Sequence, residues 1–99
     1  MGTKRFSPTR NFSKKNIGEV PKDKPGVYKI RNKQGNNIYT GVFKRGQGQN
    51  RLKDHLPEGG DSIPRASGFQ IKQMPSIERA KVEEKKIIKN EKPKYNERT

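Results

Sequence analysis

The chain has no cysteine, a single histidine and no long apolar run. Without thiols it can have no disulfide framework, thiolate nucleophile or cysteine-ligated zinc, and one histidine is too few for a conventional structural zinc site. The start, MGTKRFSPTR, lacks the apolar core of a signal peptide, and nothing approaches the roughly 18 apolar residues of a membrane span. A soluble intracellular protein without a membrane partner is therefore the expectation. Acidic side chains are also scarce: 10 Asp plus Glu face 24 Lys plus Arg, a formal charge of +14 with a pI of about 10.3. That imbalance calls for a polyanionic partner. Its spread over both termini and the middle favours nucleic acid over a membrane surface, which would need an amphipathic helix or a lipid anchor. Only 25% of the residues are hydrophobic and 34% are charged, so the core of this 99-residue chain must be small.

Residues 1–24 carry seven basic and two acidic side chains, with Phe6, Phe12, Ile17 and Val20 isolated among Pro8, Gly18 and Pro21. The segment reads as a flexible basic arm preceding a domain over 25–99. From Gly26 the pattern changes. Gly26-Val-Tyr-Lys-Ile-Arg31 and Ile38-Tyr-Thr-Gly-Val-Phe43 are rich in β-formers, and Asn32–Asn37 between them supplies Gly35 and three asparagines, which predicts a hairpin. Pairing Asn32 with Asn37 sets Ile30 opposite Tyr39 and Tyr28 opposite Gly41, with both tyrosines on one side of the sheet. Asn50 can cap a short helix through Leu56, on which Arg51 and His55 share a face. Gly68–Met74 alternates as a third strand, and Pro75-Ser76 opens a long helix that runs to about Asn90 and stops before Pro93.

On that helix Ile77, Ala80, Ile87 and Ile88 form an apolar stripe whose missing member is Glu84. A carboxylate there is costly unless paired, protonated or bound to a cation. Two readings are open: a metal ligand, or a carboxylate at the wet edge of the stripe beside Lys81 or Lys85. Glu83 reads as ordinary surface. The Arg51 guanidinium suits a phosphate and His55 can share a proton near neutrality, although either residue type also serves structural ends. Tyr28 and Tyr39 are poor bases unless cations lower their pKa values, and could equally pack in the core or stack on nucleobases. Gly46 and Gly48 lack the lysine-hydroxyl ending of a phosphate-binding loop and read as a mobile loop.

In order, Gly26-Val-Tyr28, Tyr39-Thr-Gly41, Arg51 with His55, Glu84 and Lys92-Pro-Lys-Tyr-Asn96 resemble the motifs of the GIY-YIG nuclease family, as found in the nuclease half of the excision-repair incision subunit. The resemblance spans residues 25 to 96. It implies an α/β fold with a small three-stranded antiparallel sheet flanked by helices, and metal-dependent hydrolysis of DNA phosphodiester bonds. Carried over, Glu84 binds Mg²⁺ or Mn²⁺, Arg51 neutralises charge on the phosphorane, and Tyr28 accepts the attacking water's proton. Tyr39 and His55 orient and relay, and Asn96 shapes the site. Lys44, Arg45 and Lys53 are the candidate backbone contacts. The resemblance leaves room for a partner subunit or a DNA-recognition domain, and for a non-catalytic nucleic-acid-binding module that keeps the fold.

Overall fold

The computed structural model describes residues 5–98, and in it the two β-rich stretches form strands β2 (Gly26–Arg31) and β3 (Asn37–Phe43) of an antiparallel hairpin. The register sets Tyr28 opposite Gly41 and Ile30 opposite Tyr39, as the sequence pattern implies. It slips between Ile30 and Arg31, so Arg31 rather than Asn32 faces Asn37. The cause is local: Gly35 takes φ 86°, and the Asn32 side chain accepts a hydrogen bond from the Asn36 amide at 2.9 Å, which closes the turn one residue earlier.

The sheet has four strands, in the order β1-β4-β2-β3, where three were expected. Strand β4 (Gly68–Gln73) pairs with β2, so β2 is hydrogen-bonded on both sides and its first five residues are buried. The additional strand, β1 (Arg10–Asn11), comes from the segment read as a flexible arm. That segment also contributes helix α1 (Lys14–Ile17) and a clamp of two hydrogen bonds between Ser7 and Ile71. Ile17 and Val20 enter the core, and the Gln49 amide donates to the carbonyls of Gly18 and Val20 at 3.0 Å each. Residues 5–24 are thus part of the fold, held by sparse apolar anchors that show no periodicity. Residues 1–4 lie outside the described chain.

Both faces of the sheet are covered. On one, Tyr28, Ile30, Phe43 and Phe69 pack with Ile17, Leu52, Leu56 and Ile63. On the other, Val27 and Val42 meet Ile77, Ala80 and Ile87 of helix α3 (Ile77–Glu91), with Phe6 over them. Each fully buried aliphatic side chain contributes about 1.5–3 kcal/mol. Helix α3 begins where the serine signal places it, with Ser76 Oγ accepting from the Arg79 amide at 3.1 Å. It ends at left-handed Lys92, just before Pro93. Glu83 is not ordinary surface: it pairs with Lys72 at 3.1 Å, and Glu91 pairs with Lys29 at 3.0 Å, so two ion pairs join sheet and helix, with Lys29 4.5 Å from the Phe6 ring centre. Helix α2 (Gly48–Asp54) starts before Asn50, with Gln47 as its N-cap. The chain crosses the Phe43 ring at Gly48, where a Cβ would lie 3.0 Å from Phe43 Cε1.

Candidate active site

Strand β3 is an edge, and α2 and α3 approach it from the two faces of the sheet. Tyr28 lies beneath this edge with no exposed surface. Its ring passes over Gly41, where a Cβ would be 2.5 Å from Tyr28 Cζ, so only glycine allows the phenol to reach this position. The ring sits 6.2 Å from Tyr39, 6.4 Å from Phe43 and 5.6 Å from His55, centre to centre. The phenol oxygen is 2.7 Å from His55 Nε2.

His55 follows the last turn of α2 and is also buried. Its Nδ1 is 2.8 Å from the Asp61 carbonyl oxygen, which can only accept, so Nδ1 carries the proton. In the neutral ring Nε2 is then the acceptor and Tyr28 O–H the donor. Burial lowers the His55 pKa against the opposing pull of Asp61. Burial raises that of Tyr28, reinforced by the neighbouring Tyr39 and opposed by Arg51. The pair therefore rests as neutral phenol and neutral imidazole, with the phenol donating to His55 Nε2. Tyr39 is half-buried, with its ring 4.9 Å from His55.

Arg51 is exposed on α2, and its charge acts on both Tyr28 and Glu84. Glu84 sits on α3 between buried Ala80 and Ile87 and is itself half-buried. Among the described residues no hydrogen bond or ion pair within 4 Å reaches its carboxylate. Burial raises its pKa, although Lys81, Lys85 and Arg51 all pull the other way. Lys81 and Lys85 thus act on it without pairing with it. No group of three His, Asp or Glu that could hold a metal exists among the described residues. One half-buried carboxylate without an ion pair nevertheless suits a hard cation that keeps most of its waters, as Mg²⁺ does. The donor set fits such an ion with Glu84 as its protein ligand.

Asn96 lies in the closing 3₁₀ turn (Lys94–Arg98) and acts on the β3 edge directly. Its side chain accepts from the Thr40 amide at 2.8 Å and donates to the Thr40 carbonyl at 2.9 Å, which pins the strand between Tyr39 and Gly41. Lys44, Arg45 and Lys53 are exposed around α2. The fold therefore gathers Tyr28, Tyr39, His55 and Asn96 around one stretch of β3, with Arg51 and Glu84 on the two flanking helices.

No family sequence profile and no curated protein sequence matches the chain. A solved structure does: the GIY-YIG N-terminal endonuclease domain of UvrC from Thermotoga maritima, crystallised as an asparagine-to-alanine point mutant bound to its catalytic divalent cation. It superposes with a TM-score of 0.65 at 33% identity, covering 82% of this chain and 90% of that one. The chain belongs to the GIY-YIG nuclease family. The GIY-YIG fold implies a metal-dependent nuclease, and the cation in the UvrC domain supports a divalent metal for the family site. No helix among the described residues is long and apolar enough to cross a membrane.

One contributor escaped the sequence reading. Asp61, in the loop after Gly59-Gly60, fixes the His55 tautomer through its backbone carbonyl, and its carboxylate lies 3.7 Å from Nδ1. A carbonyl contact leaves no residue-type signature, so no pattern in the chain could have revealed it.

Proposed function

We propose that this chain is a divalent-metal-dependent endonuclease that hydrolyses DNA phosphodiester bonds, using Mg²⁺ or Mn²⁺ and having low sequence specificity of its own. The observation that carries this reading is Glu84, a half-buried carboxylate left without an ion pair while Arg51 acts on both it and the Tyr28 phenol. A structural role would favour pairing that carboxylate, as Glu83 and Glu91 are paired on the same helix.

Glu84 would hold the cation, which when bound offsets the charge of the scissile phosphate. Arg51 supplies a second positive charge to the pentacovalent phosphorus. Tyr28 Oη is the proposed acceptor of the attacking water's proton, passing its own to His55 Nε2; because the phenol has no exposed surface, this role requires the β3 edge to open when DNA binds, and the imidazolium formed is stabilised by the Asp61 carbonyl and carboxylate. Tyr39 packs against His55 and fixes its ring, and Asn96 holds the strand that carries Tyr39 and Gly41. Lys44, Arg45 and Lys53 contact the backbone, and these contacts supply affinity without reading sequence. A partner subunit or DNA-recognition domain would add the specificity that this domain does not encode.

The test is incubation of supercoiled plasmid with wild-type and Glu84→Ala protein in Mg²⁺, Mn²⁺ or EDTA. Nicking is expected only for the wild type with metal. Salt-dependent DNA binding with no nicking under any of these conditions would make the chain a nucleic-acid-binding module instead.

A further inference from the structure

A small pocket of about 280 Å³ opens beside Arg51, where the end of β3 meets the first turns of α2 and α3. Its walls are apolar: Val42, Phe43 and Ile77. Its rim is cationic: Lys44, Arg51 and Lys81 are all exposed, and none is in a salt bridge among the described residues. Glu84 acts on this rim and feels both Lys81 and Arg51.

The mouth also offers directional polar groups. Thr40 turns its backbone N–H and C=O out of the sheet toward Asn96. In an antiparallel strand the outward-facing groups recur every second residue, so Val42 presents its N–H and C=O along the same open edge. One donor and one acceptor beside an apolar slot suit the edge of a flat heterocycle. Three cations without a salt bridge among the described residues suit the phosphates attached to it.

We propose that this pocket binds one unstacked nucleobase of the DNA strand being cut, with the flanking phosphates on Lys44, Arg51 and Lys81. Placing that base next to the scissile phosphate rests on the nuclease reading of Arg51 and Glu84. The charge pattern selects this occupant: an apolar peptide would leave three cations facing it unpaired, whereas a nucleotide satisfies wall and rim together. A base reaches the slot only after leaving its stack, which is costly in an intact duplex and easy in a single strand, flap or bubble. The substrate class that follows is DNA with an unpaired nucleotide at the cut.

The proposal is tested by fluorescence anisotropy in EDTA at fixed ionic strength, titrating protein into a single-stranded oligonucleotide and into an abasic strand of the same length and phosphate count. The strand with bases should bind about tenfold more tightly. That advantage should vanish in Ile77→Asn and shrink in the near-isosteric Val42→Thr, while affinity for the abasic strand stays unchanged. Equal affinity of the two strands for the wild type, or an advantage that survives in a folded variant, would overturn it. The titrations contain no metal, so they are independent of cutting. Metal-dependent nicking with equal affinities would remove the pocket and keep the nuclease; a base preference with no nicking would do the reverse.

Discussion

Gly41→Ala is the sharpest single perturbation of the site. An added Cβ would stand 2.5 Å from Tyr28 Cζ and 2.9 Å from Cε2. Ordinary carbon contacts begin at about 3.5 Å, so the ring must retreat by about 1 Å. It has little room to do so, because Phe43, Tyr39 and His55 enclose it and the residue has no exposed surface. Overpacking of this kind costs about 1–3 kcal/mol. In a domain of this size that lowers Tm by roughly 4–24 °C, at about 4–8 °C per kcal/mol. The same movement stretches the 2.7 Å Tyr28–His55 hydrogen bond beyond its working range, and a 1 Å misplacement in an active site costs about a hundredfold in rate. Gly60→Ala is the control, since its Cβ would meet nothing within 4 Å. Thermal unfolding by circular dichroism, and single-turnover nicking at a temperature below the lower Tm, measure the two effects. A Gly41→Ala protein as stable and as active as the Gly60→Ala control would refute the crossing of Tyr28 over this glycine.

Three further expectations follow from the packing and charge. Ile17→Ala removes a side chain with no exposed surface from the segment before β2 and should destabilise by about 2–5 kcal/mol in chemical denaturation; a change under about 0.5 kcal/mol would mean that this segment is not part of the folded core. The His55 pKa lies below its ordinary 6.5 in the fold, so the unfolded chain binds the proton first. Its contribution to stability is therefore full above about pH 6.5 and is lost as pH falls, and His55→Gln should flatten that part of the curve; a His55-dependent loss of stability on raising pH through 7 would contradict it. DNA affinity should fall steeply with salt, and Lys53→Ala should lower the slope of log K against log salt by about 1 while leaving sequence preference unchanged; a flat salt response would remove the phosphate-contact account.

The hairpin pairing of Tyr28 with Gly41 and of Ile30 with Tyr39, and α3, were legible from β-rich and apolar patterns with clear end signals, Gly35 in the turn, Ser76 before the helix and Pro93 after it, whereas the slip at Arg31 was not. The position of Glu84 was legible as a break in the stripe of Ala80 and Ile87. Its neighbour Glu83 was not, because its partner Lys72 lies on a strand, and pairing between strand and helix follows no sequence interval. β1 was hidden for a similar reason: two residues cannot show an alternation, and Ile17 and Val20 are buried by what the rest of the chain brings to them. The close packing of Gly48 against Phe43 was likewise hidden, being a contact between residues on different elements.

The proposed metal role of Glu84 requires that it act in cutting and not in binding. The measurement is single-turnover cleavage of one DNA substrate in Mg²⁺ by wild type and Glu84→Gln, with affinity for the same DNA taken in EDTA. Losing the cation's several kcal/mol of transition-state stabilisation should slow Glu84→Gln by about a thousandfold or more, with Kd within about twofold of the wild type. A Glu84→Gln protein that cuts at the wild-type rate, or one whose affinity falls in step with its cleavage, would contradict it.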